Sequence, residues 1–269
     1  MRKKAYATAN ASDSPRVLTQ TLERGLKILR AFRCEAKPLR NSTIAERCGL
    51  PRPTVSRLTN TLVGLGYLNR VDGGAQYQLG TKVFSIGDAY LKAARIRAIA
   101  RPFIESFVAQ QGLSLGIAAP DDLQMTYIVW CKEPNTLTLR LSVGSMLPMG
   151  RTAIGKAYMW ALSVPERRAL IAKIKTEAGA RAATVSSAIN SAFRDLDSHG
   201  YCISMAEFQK NTFGIAVPLI LDEGRTILSL GGGGARLDVA ESSLRSDIAP
   251  HLLQVAQDIQ DAFNVDDGA

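Results

Sequence analysis

The segment from residue 41 to residue 79 constrains the fold of this chain more than any other part of it. Four apolar residues recur at helical spacing and define one face of a predicted helix over about 53–65: Val55, Leu58, Leu62 and Leu65. A shorter helix over about 42–48 is expected to end at Gly49, because glycine readily adopts the left-handed conformation that ends a helix. Gly66 is expected to end the second helix in the same way.

Two short strands are predicted directly after this pair of helices. Tyr67–Arg70 and Ala75–Leu79 are strand-like, and Asp72-Gly73-Gly74 between them is typical of a hairpin turn. Helix, turn, helix and hairpin form the outline of a winged helix-turn-helix, which inserts its second helix into the major groove of DNA. A further helix is predicted over about 19–33, and the alternative is a three-helix domain with an ordinary solvated face. DNA binding is favoured because four features agree: the spacing of apolar residues along the helices, the glycine at the turn, the hairpin, and the positive charge described below.

The polar face of the second helix carries the residues expected to read DNA. Arginine suits guanine and asparagine suits adenine, so Arg57 and Asn60 are expected to face the bases. Residues of the hairpin and near the first helix are expected to contact phosphates. The predicted DNA-binding residues are Arg40, Ser42, Arg52, Pro53, Thr54, Ser56, Arg57, Asn60, Arg70, Gln76 and Tyr77.

Positive charge is concentrated in the same part of the chain. Residues 1–94 contain 16 Lys and Arg against 6 Asp and Glu, a net charge of +10, whereas residues 95–269 contain 17 against 18, a net charge of −1. Basic residues neutralise phosphates and release counterions, which gives affinity for any DNA sequence. A membrane-surface role would need a basic amphipathic helix, and none is clear. Solubility alone does not account for charge confined to one third of the chain.

Length and composition bound the other possibilities. A chain of 269 residues suggests two domains. It has no run of 18 apolar residues and no apolar region near its start, so neither a transmembrane helix nor a secretory signal is expected, and we predict a cytoplasmic protein. The four cysteines show neither a disulfide framework nor metal-ligand spacing: Cys34, Cys48, Cys131 and Cys202. We therefore expect no metal and no cofactor.

The second part of the chain predicts an α+β domain built on an antiparallel sheet. A helix over about 95–111 is expected to end at Gly112. Strands are expected at 113–119, 124–131, 137–143, 201–205, 213–221 and 226–230, and helices at 153–162, 165–175, 187–199 and 240–263. Pro-Asp-Asp at 120–122 and Asp-Glu-Gly-Arg at 222–225 predict turns between neighbouring strands.

Short motifs along the chain carry a family resemblance. Those in the first part are Leu22-Glu23-Arg24-Gly25-Leu26-Lys27-Ile28-Leu29, Leu50-Pro51-Arg52-Pro53-Thr54-Val55-Ser56-Arg57-Leu58, Gly64-Leu65-Gly66-Tyr67-Leu68 and Tyr77-Gln78-Leu79-Gly80. Those in the second part are Gly144-Ser145-Met146-Leu147-Pro148, Thr152-Ala153-Ile154-Gly155-Lys156-Ala157, Gly200-Tyr201, Glu207 and Ala216-Val217-Pro218. Each is weak alone, but in this order and spacing the chain resembles the IclR family of bacterial transcription regulators over about residues 18–263.

The resemblance implies a ligand-responsive repressor or activator with a GAF-like second domain. Its implied partners are operator DNA near the regulated genes, a small metabolite such as an organic or aromatic acid, and further copies of the chain in a dimer or a dimer of dimers, with no membrane. We expect a disordered tail at 1–15, a winged helix-turn-helix domain at 16–80, a linker helix at 81–94 and an effector-binding and oligomerisation domain at 95–264. The apolar residues of the linker helix either form core or pair with a second chain.

The resemblance also implies where the effector binds. The expected pocket lies between the sheet, the loop ahead of the helix at Ala153, and the strands near 204–214 and 229–231. The residues carried over to it are Leu139, Leu147, Ala153, Ile154, Ser204, Thr212, Gly214 and Ser229.

Several positions of this pocket depart from the family pattern. Relatives often have Cys or Ser at Gly214, Ser at Gly231 and Asp at Ser204, and the run Gly231–Gly234 replaces a Ser-Gly-Pro turn. Fewer polar side chains predict a bulkier or more apolar effector, or one held by backbone N–H groups that glycines leave accessible. Arg151 beside the loop either pairs with an acidic ligand or is a solvated surface arginine.

Other functions fit the sequence less well than a ligand-controlled regulator. An enzyme tethered to DNA would need catalytic groups, but His199, His251 and Glu207 belong to no visible Ser-His-Asp group or carboxylate pair. The four-glycine run lacks the Gly-Lys-Ser/Thr ending of a phosphate-binding loop, and Gly155-Lys156 is read as a helix start. Purely architectural DNA binding would leave the second domain unexplained. The prediction is therefore a regulator and not an enzyme.

Overall fold

A computed structural model of the chain describes residues 19–33, 37–134, 141–235 and 240–265. The predicted tail at 1–15, the thiol of Cys34 and the predicted pocket residue Leu139 lie outside the described residues. The chain divides between Lys92 and Ala93 into two compact units, which are taken separately below. In the part of the chain that the structure describes, no helix is long and apolar enough to cross a membrane.

The described residues of the first unit form a winged helix-turn-helix. In chain order its elements are α1 (Gln20–Arg30), β1 (Leu39–Arg40), α2 (Asn41–Cys48), α3 (Arg52–Gly64), β2 (Leu68–Val71), β3 (Gln76–Leu79) and α4 (Thr81–Ala93). The three strands form an antiparallel sheet in the order β1-β3-β2. Helices α2 and α3 begin and end within one residue of the predicted positions, so the predicted module is confirmed.

The apolar residues of the helices and strands build the core of this unit. The buried residues are Ile28, Phe32, Leu39, Ile44, Ala45, Val55, Leu58, Leu68 and Tyr77. Gly49 has φ +64 and ends α2, as expected, and Leu50 then donates a backbone hydrogen bond of 3.0 Å to Ala45. Leu65 differs from the prediction, because it is the residue that ends α3 and its side chain is 52% exposed.

The described residues of the second unit surround a six-stranded sheet. Its elements are α5 (Arg95–Gln111), β4 (Leu115–Asp121), β5 (Gln124–Cys131), β6 (Met146–Pro148), α6 (Ala153–Ala161), α7 (Val164–Ala178), α8 (Ala182–His199), β7 (Cys202–Met205), β8 (Thr212–Leu221), β9 (Thr226–Ala235), α9 (Glu241–Ser243) and α10 (Ala249–Val265). The strand order is β6-β5-β4-β9-β8-β7, and every pairing is antiparallel. The predicted α+β class is confirmed.

One predicted strand, at 137–143, lies mostly outside the described residues. Residues 135–140 lie outside them, and 141–143 lead into a turn in which the backbone N–H of Ser142 donates to Ser145 Oγ at 2.9 Å. Gly144 follows with φ +88, which a strand does not accommodate. The strand at this edge of the sheet is β6, whose three residues are too few to show an alternating pattern.

The run Gly231–Gly234 lies inside strand β9 and not in a turn. The strand continues to Ala235, beyond its predicted end at Leu230. A Cβ atom at Gly232 or Gly233 would collide with a backbone carbonyl oxygen of a neighbouring strand. The glycines therefore permit close approach of backbones, which is a known reason for glycine within a sheet.

Helix boundaries also differ from the prediction in the second unit. The expected single helix at 240–263 is divided by the π-helical turn Leu244–Ile248 before α10 begins. Pro250 stands in the first turn of α10, where a proline cannot donate the hydrogen bond that would continue a helix from before it. Helix α8 begins at Ala182 and not at 187, because a single 3₁₀ turn joins it to α7.

Candidate DNA-binding face and effector cavity

Helix α3 buries one face and exposes the other. Val55 and Leu58 are buried at 0% and 7% exposure. The residues predicted to read DNA are exposed, apart from Thr54, which is half-buried: Arg52, Pro53, Ser56, Arg57 and Asn60. A helix anchored by one apolar face, with arginine and asparagine on the other, has what a recognition helix needs to enter a major groove.

Two side-chain hydrogen bonds tie this face to neighbouring elements. Arg70 of β2 donates from Nη2 to Asn60 Oδ1 at 2.5 Å. Asn41, at the start of α2, donates from Nδ2 to Ser56 Oγ at 2.9 Å. Neither bond is predictable from the sequence alone. Both orient a side chain that was predicted to contact DNA.

The remaining predicted DNA contacts lie around the hairpin and the start of α2. Arg40 and Arg70 are exposed, whereas Ser42 and Gln76 are half-buried, and Gln76 donates a hydrogen bond of 2.7 Å to Asp72. Tyr77 is instead a core residue with 6% exposure. The alternation of a strand turns position 77 inward, since its neighbours point the other way. A DNA contact by Tyr77 stays a prediction.

A cavity of about 40 Å³ lies in the second unit. Seven of the predicted effector residues line it: Leu147, Arg151, Ala153, Ile154, Ser204, Thr212 and Gly214. Eight further residues complete the lining and were not predicted: Tyr127, Leu141, Thr152, Glu207, Phe208, Phe213, Gly232 and Gly233. A Cβ atom at Gly214 would lie 3.6 Å from the Gly232 carbonyl oxygen and 3.7 Å from Ala153 Cβ, so this position has room for a side chain.

The structure does not bring Ser229 and Gly231 to this cavity. Ser229 is buried in β9, and its hydroxyl donates to the carbonyl oxygen of Val217 at 3.2 Å. A Cβ atom at Gly231 would lie 2.8 Å from Ile154 Cγ1, which leaves no space for a ligand on that side. Leu139 lies outside the described residues.

Arg151 binds the loop that joins β7 to β8. Its Nε donates to the carbonyl oxygen of Glu207 at 3.0 Å, and its Nη2 donates to that of Phe208 at 2.9 Å. The side chain also lines the cavity. Arg151 is therefore neither a solvated surface arginine nor committed wholly to a ligand, because two of its donor atoms already hold the protein's own backbone.

A buried ion pair forms the same end of the cavity. The side chain of Lys156 is 1% exposed, and its Nζ lies 2.5 Å from Glu207 Oε2. Ser204 donates from Oγ to Glu207 Oε1 at 2.9 Å and lies 3.4 Å from Lys156 Nζ. Burial of an ammonium group is costly unless a carboxylate pairs with it. Lys156 is the one charged residue in the otherwise uncharged sequence of α6, and this signal could have identified a buried lysine, although not its partner.

A second depression shares Arg151 with the cavity. Its volume is about 160 Å³, and it lies between β6, α7 and α8. Its charged lining residues are Arg151, Glu177 and Arg181, and the remainder are mainly apolar. It is an alternative place for a ligand in the same unit.

Comparisons with known proteins agree with this architecture. The description "IclR helix-turn-helix domain" matches residues 21–72, and "Bacterial transcriptional regulator IclR C-terminal" matches residues 88–261. The chain is 30% identical to the HTH-type transcriptional regulator TsaQ1/TsaQ2 of Comamonas testosteroni, over 90% of this chain and 88% of that one. It is 27% identical to the p-hydroxybenzoate hydroxylase transcriptional activator of Acinetobacter baylyi, over 89% of this chain and 90% of the relative.

A solved structure gives the same result for the fold. An IclR family transcriptional regulator from Brucella abortus superimposes with a TM-score of 0.86 at 31% identity, over 95% of this chain and 96% of that one. The relatives are DNA-binding regulators and not enzymes, as the absence of a recognisable catalytic group in the sequence suggested. Family descriptions match both units, so the chain belongs to the IclR family of bacterial transcriptional regulators.

Proposed function

We propose that this regulator binds an operator through helix α3 and that a small organic acid, bound in the cavity of the second unit, controls that binding. In this proposal residues 16–80 contact DNA and residues 81–94 link the two domains. Residues 95–264 bind the effector and take part in oligomerisation. The observation that carries the proposal is the pairing of an exposed Arg57–Asn60 face with a separate unit that contains a cavity with a cationic end.

The DNA-binding part rests on the chemistry of the exposed face of α3. Arg57 and Asn60 present groups that hydrogen-bond to base edges, while Arg40 and Arg70 flank them with positive charge. The excess of basic residues in the first 94 positions supplies affinity for phosphates. Base reading by α3 and phosphate contact by its surroundings form the proposed division of labour.

The effector part rests on the uneven polarity of the cavity. One end carries Arg151, Ser204 and Glu207, with Lys156 behind them, whereas most of the other lining side chains are apolar or are glycine. An acid with an apolar or aromatic body complements such a cavity, because its charge and its hydrocarbon part each find a matching surface. A relative that activates the p-hydroxybenzoate hydroxylase gene supports aromatic acids as the first class to test.

We further propose that the chain acts as a homodimer or as a dimer of dimers. Helix α4 has no buried residue, and it exposes large apolar side chains of Phe84 (74%), Ile86 (61%) and Tyr90 (53%). The apolar residues of this helix were expected either to form core or to pair with a second chain. Their exposure fits pairing with a second chain and does not fit core formation within one chain. A two-fold dimer would place two copies of α3 on two half-sites of an operator.

The test is a DNA-binding titration with the full-length protein. The DNA is the intergenic fragment upstream of the gene for this chain, with a shuffled fragment as control. The probe acids are benzoate and 4-hydroxybenzoate, each compared with its amide. We expect an active acid to change operator affinity by about 5- to 150-fold, the usual range of allosteric coupling, with little effect from the amide. Operator affinity that no acid changes would contradict the proposal for the effector.

A further inference from the structure

Lys156 lies directly behind the wall of the effector cavity. Its ammonium group contacts Glu207 at 2.5 Å and Ser204 at 3.4 Å, and both partners line the cavity. The side chain of Lys156 is 1% exposed, while that of Glu207 is 28% exposed. A group that replaced the Glu207 carboxylate from the cavity side would therefore meet the lysine ammonium and the serine hydroxyl.

Among the residues that the structure describes, the charges at this end of the cavity do not balance. Arg151 and Lys156 are cations and Glu207 is an anion, whose carboxylate pairs with Lys156 while Arg151 binds its backbone carbonyl oxygen. The three groups together carry one positive charge. An organic monoanion bound here would neutralise it, whereas a neutral ligand would not. This favours a ligand with one carboxylate.

We propose that Lys156 binds the carboxylate of the effector and that Glu207 occupies this position until the effector enters. The inference rests on the proposed function, since it concerns the same organic acid and the same cavity. In the exchange the effector oxygens accept hydrogen bonds from Lys156 Nζ and Ser204 Oγ, as the Glu207 oxygens do without it. Arg151 contributes charge, while its Nε and Nη2 continue to hold the backbone of the loop.

The size of the cavity requires part of its wall to move. Its volume is about 40 Å³. A cavity that binds benzene measures roughly 150 Å³, so this one is too small for an aromatic acid as it stands. Glu207 stands in the loop between β7 and β8, outside the sheet pairings that fix the flanking strands. Its side chain is already partly exposed, so the carboxylate can turn into water, which solvates it more fully.

A fixed role for Glu207 is the competing interpretation. In that case its carboxylate would stay on Lys156 and accept a hydrogen bond from a hydroxyl of the ligand. The two interpretations make opposite predictions for removal of the carboxylate charge. Release of an internal competitor strengthens acid binding, because the apparent affinity scales with the fraction of protein that is competent to bind. Loss of a direct contact weakens it.

The experiment compares three full-length proteins: the parent, Glu207→Gln, and the double variant Lys156→Gln with Glu207→Gln. The double variant removes both charges together, so no buried charge is left without a partner. Calorimetric titrations measure binding of benzoate, 4-hydroxybenzoate and 4-hydroxybenzamide to each protein. We expect Glu207→Gln to bind the acids about tenfold more tightly than the parent, as for a site occupied by its own carboxylate about nine-tenths of the time. The double variant should lose that gain and bind acids at least tenfold more weakly than Glu207→Gln, while the two variants should bind the amide equally.

Any other result shows whether this inference or the proposed function is wrong. If the double variant binds acids as tightly as Glu207→Gln, Lys156 does not bind the carboxylate, and the inference fails although the proposed function stands. If Glu207→Gln alone binds acids more weakly than the parent, Glu207 is a direct ligand contact and the exchange is refuted. If the parent binds the amide but neither acid, or binds none of the three, the proposed acid effector fails and this inference fails with it.

Discussion

Arg70 of strand β2 donates a hydrogen bond of 2.5 Å to the side-chain oxygen of Asn60 on helix α3. Both side chains are exposed on the proposed DNA-binding face. The arginine was expected to contact phosphate and the asparagine to contact a base, so the bond connects the hairpin to the base-reading helix. We therefore expect the two residues not to act independently when DNA binds.

A double-mutant cycle measures this coupling. We expect Arg70→Ala and Asn60→Ala to be non-additive in operator affinity, with an interaction energy of about 0.5–3 kcal/mol, as for residues in direct contact. Fluorescence anisotropy with labelled operator gives the four affinities. Arg70→Ala combined with Asn41→Ala is the control, because Asn41 bonds to Ser56 and not to Arg70. Additive losses for Arg70 and Asn60 would show that the bond is broken in the complex.

Arg57 is the residue for which base reading is most directly testable. Arg57→Ala should cost about 1–3 kcal/mol on the operator and relax preference at one base position. Arg57→Lys keeps the charge but lacks the planar pair of donors, so it should relax the same preference and leave the salt dependence of binding unchanged. Binding to a library of single-base operator variants supplies the measurement. A preference profile that neither variant alters would remove Arg57 from the groove.

Sequence patterns predicted the elements whose signals are local. The helix predicted over 95–111 with Gly112 at its end is α5, and the strand predicted over 124–131 is β5. The same holds for α2 and α3, where Gly49 marks the turn. In each case one element carries both its periodicity and its end signal, so no distant residue is needed to recognise it.

Features that depend on contact between residues far apart in the chain could not be predicted from local sequence patterns. Lys156 and Glu207 are 51 positions apart, and neither motif alone shows that α6 and the β7–β8 loop bring them together. The glycine run of β9 resembles a turn in the sequence, because the backbone that excludes a side chain at Gly232 and Gly233, from Ser114 and Phe213, comes from elsewhere in the chain. Tertiary contact decides both features, and a single sequence does not contain it.

Gly155 is predicted to be essential for packing of α6. A Cβ atom at this position would collide with the backbone of Met149, which cannot move as a flexible side chain can. Gly155→Ala should therefore lower the free energy of unfolding of the second unit by about 1–3 kcal/mol, the usual cost of overpacking. Urea unfolding followed by circular dichroism checks this. Gly214→Ala is the matched control, since its Cβ meets no atom closer than 3.6 Å, and equal stability of the two variants would contradict the packing argument.

We predict that the buried thiol of Cys202 makes the folded protein less stable at alkaline pH. Burial raises the pKa of this thiol from 9.0 to about 12 in the folded protein. Above pH 9 the unfolded chain releases the proton and the folded chain keeps it, so stability falls as pH rises from 9 to about 12. The parent should lose up to about 1.4 kcal/mol per pH unit in this window relative to Cys202→Ala. Parallel urea titrations from pH 8 to pH 11 make the comparison, and identical slopes would mean that the thiol ionises without unfolding.

Gly214 tests the location of the effector site. Its missing side chain faces the cavity, with the Gly232 carbonyl oxygen at 3.6 Å and Ala153 Cβ at 3.7 Å from the position of a Cβ atom. The four side-chain carbons of a leucine would occupy most of the small volume that the cavity offers. Gly214→Leu should therefore abolish the effect of 4-hydroxybenzoate, or of any acid active on the parent, on operator affinity. Operator affinity without the acid should stay close to that of the parent, because residues 41–79 are unchanged.

Gly214→Ala is the matched control for this experiment. It adds one carbon at ordinary contact distance, so the acid response should survive with affinity reduced by less than about tenfold, as for a small change in pocket volume. Thermal unfolding of each variant with and without acid reports binding independently of DNA, since a ligand that binds the folded state raises the melting temperature. If Gly214→Leu responds to the acid as the parent does, the effector binds elsewhere. The depression lined by Glu177 and Arg181 would then be the next site to block.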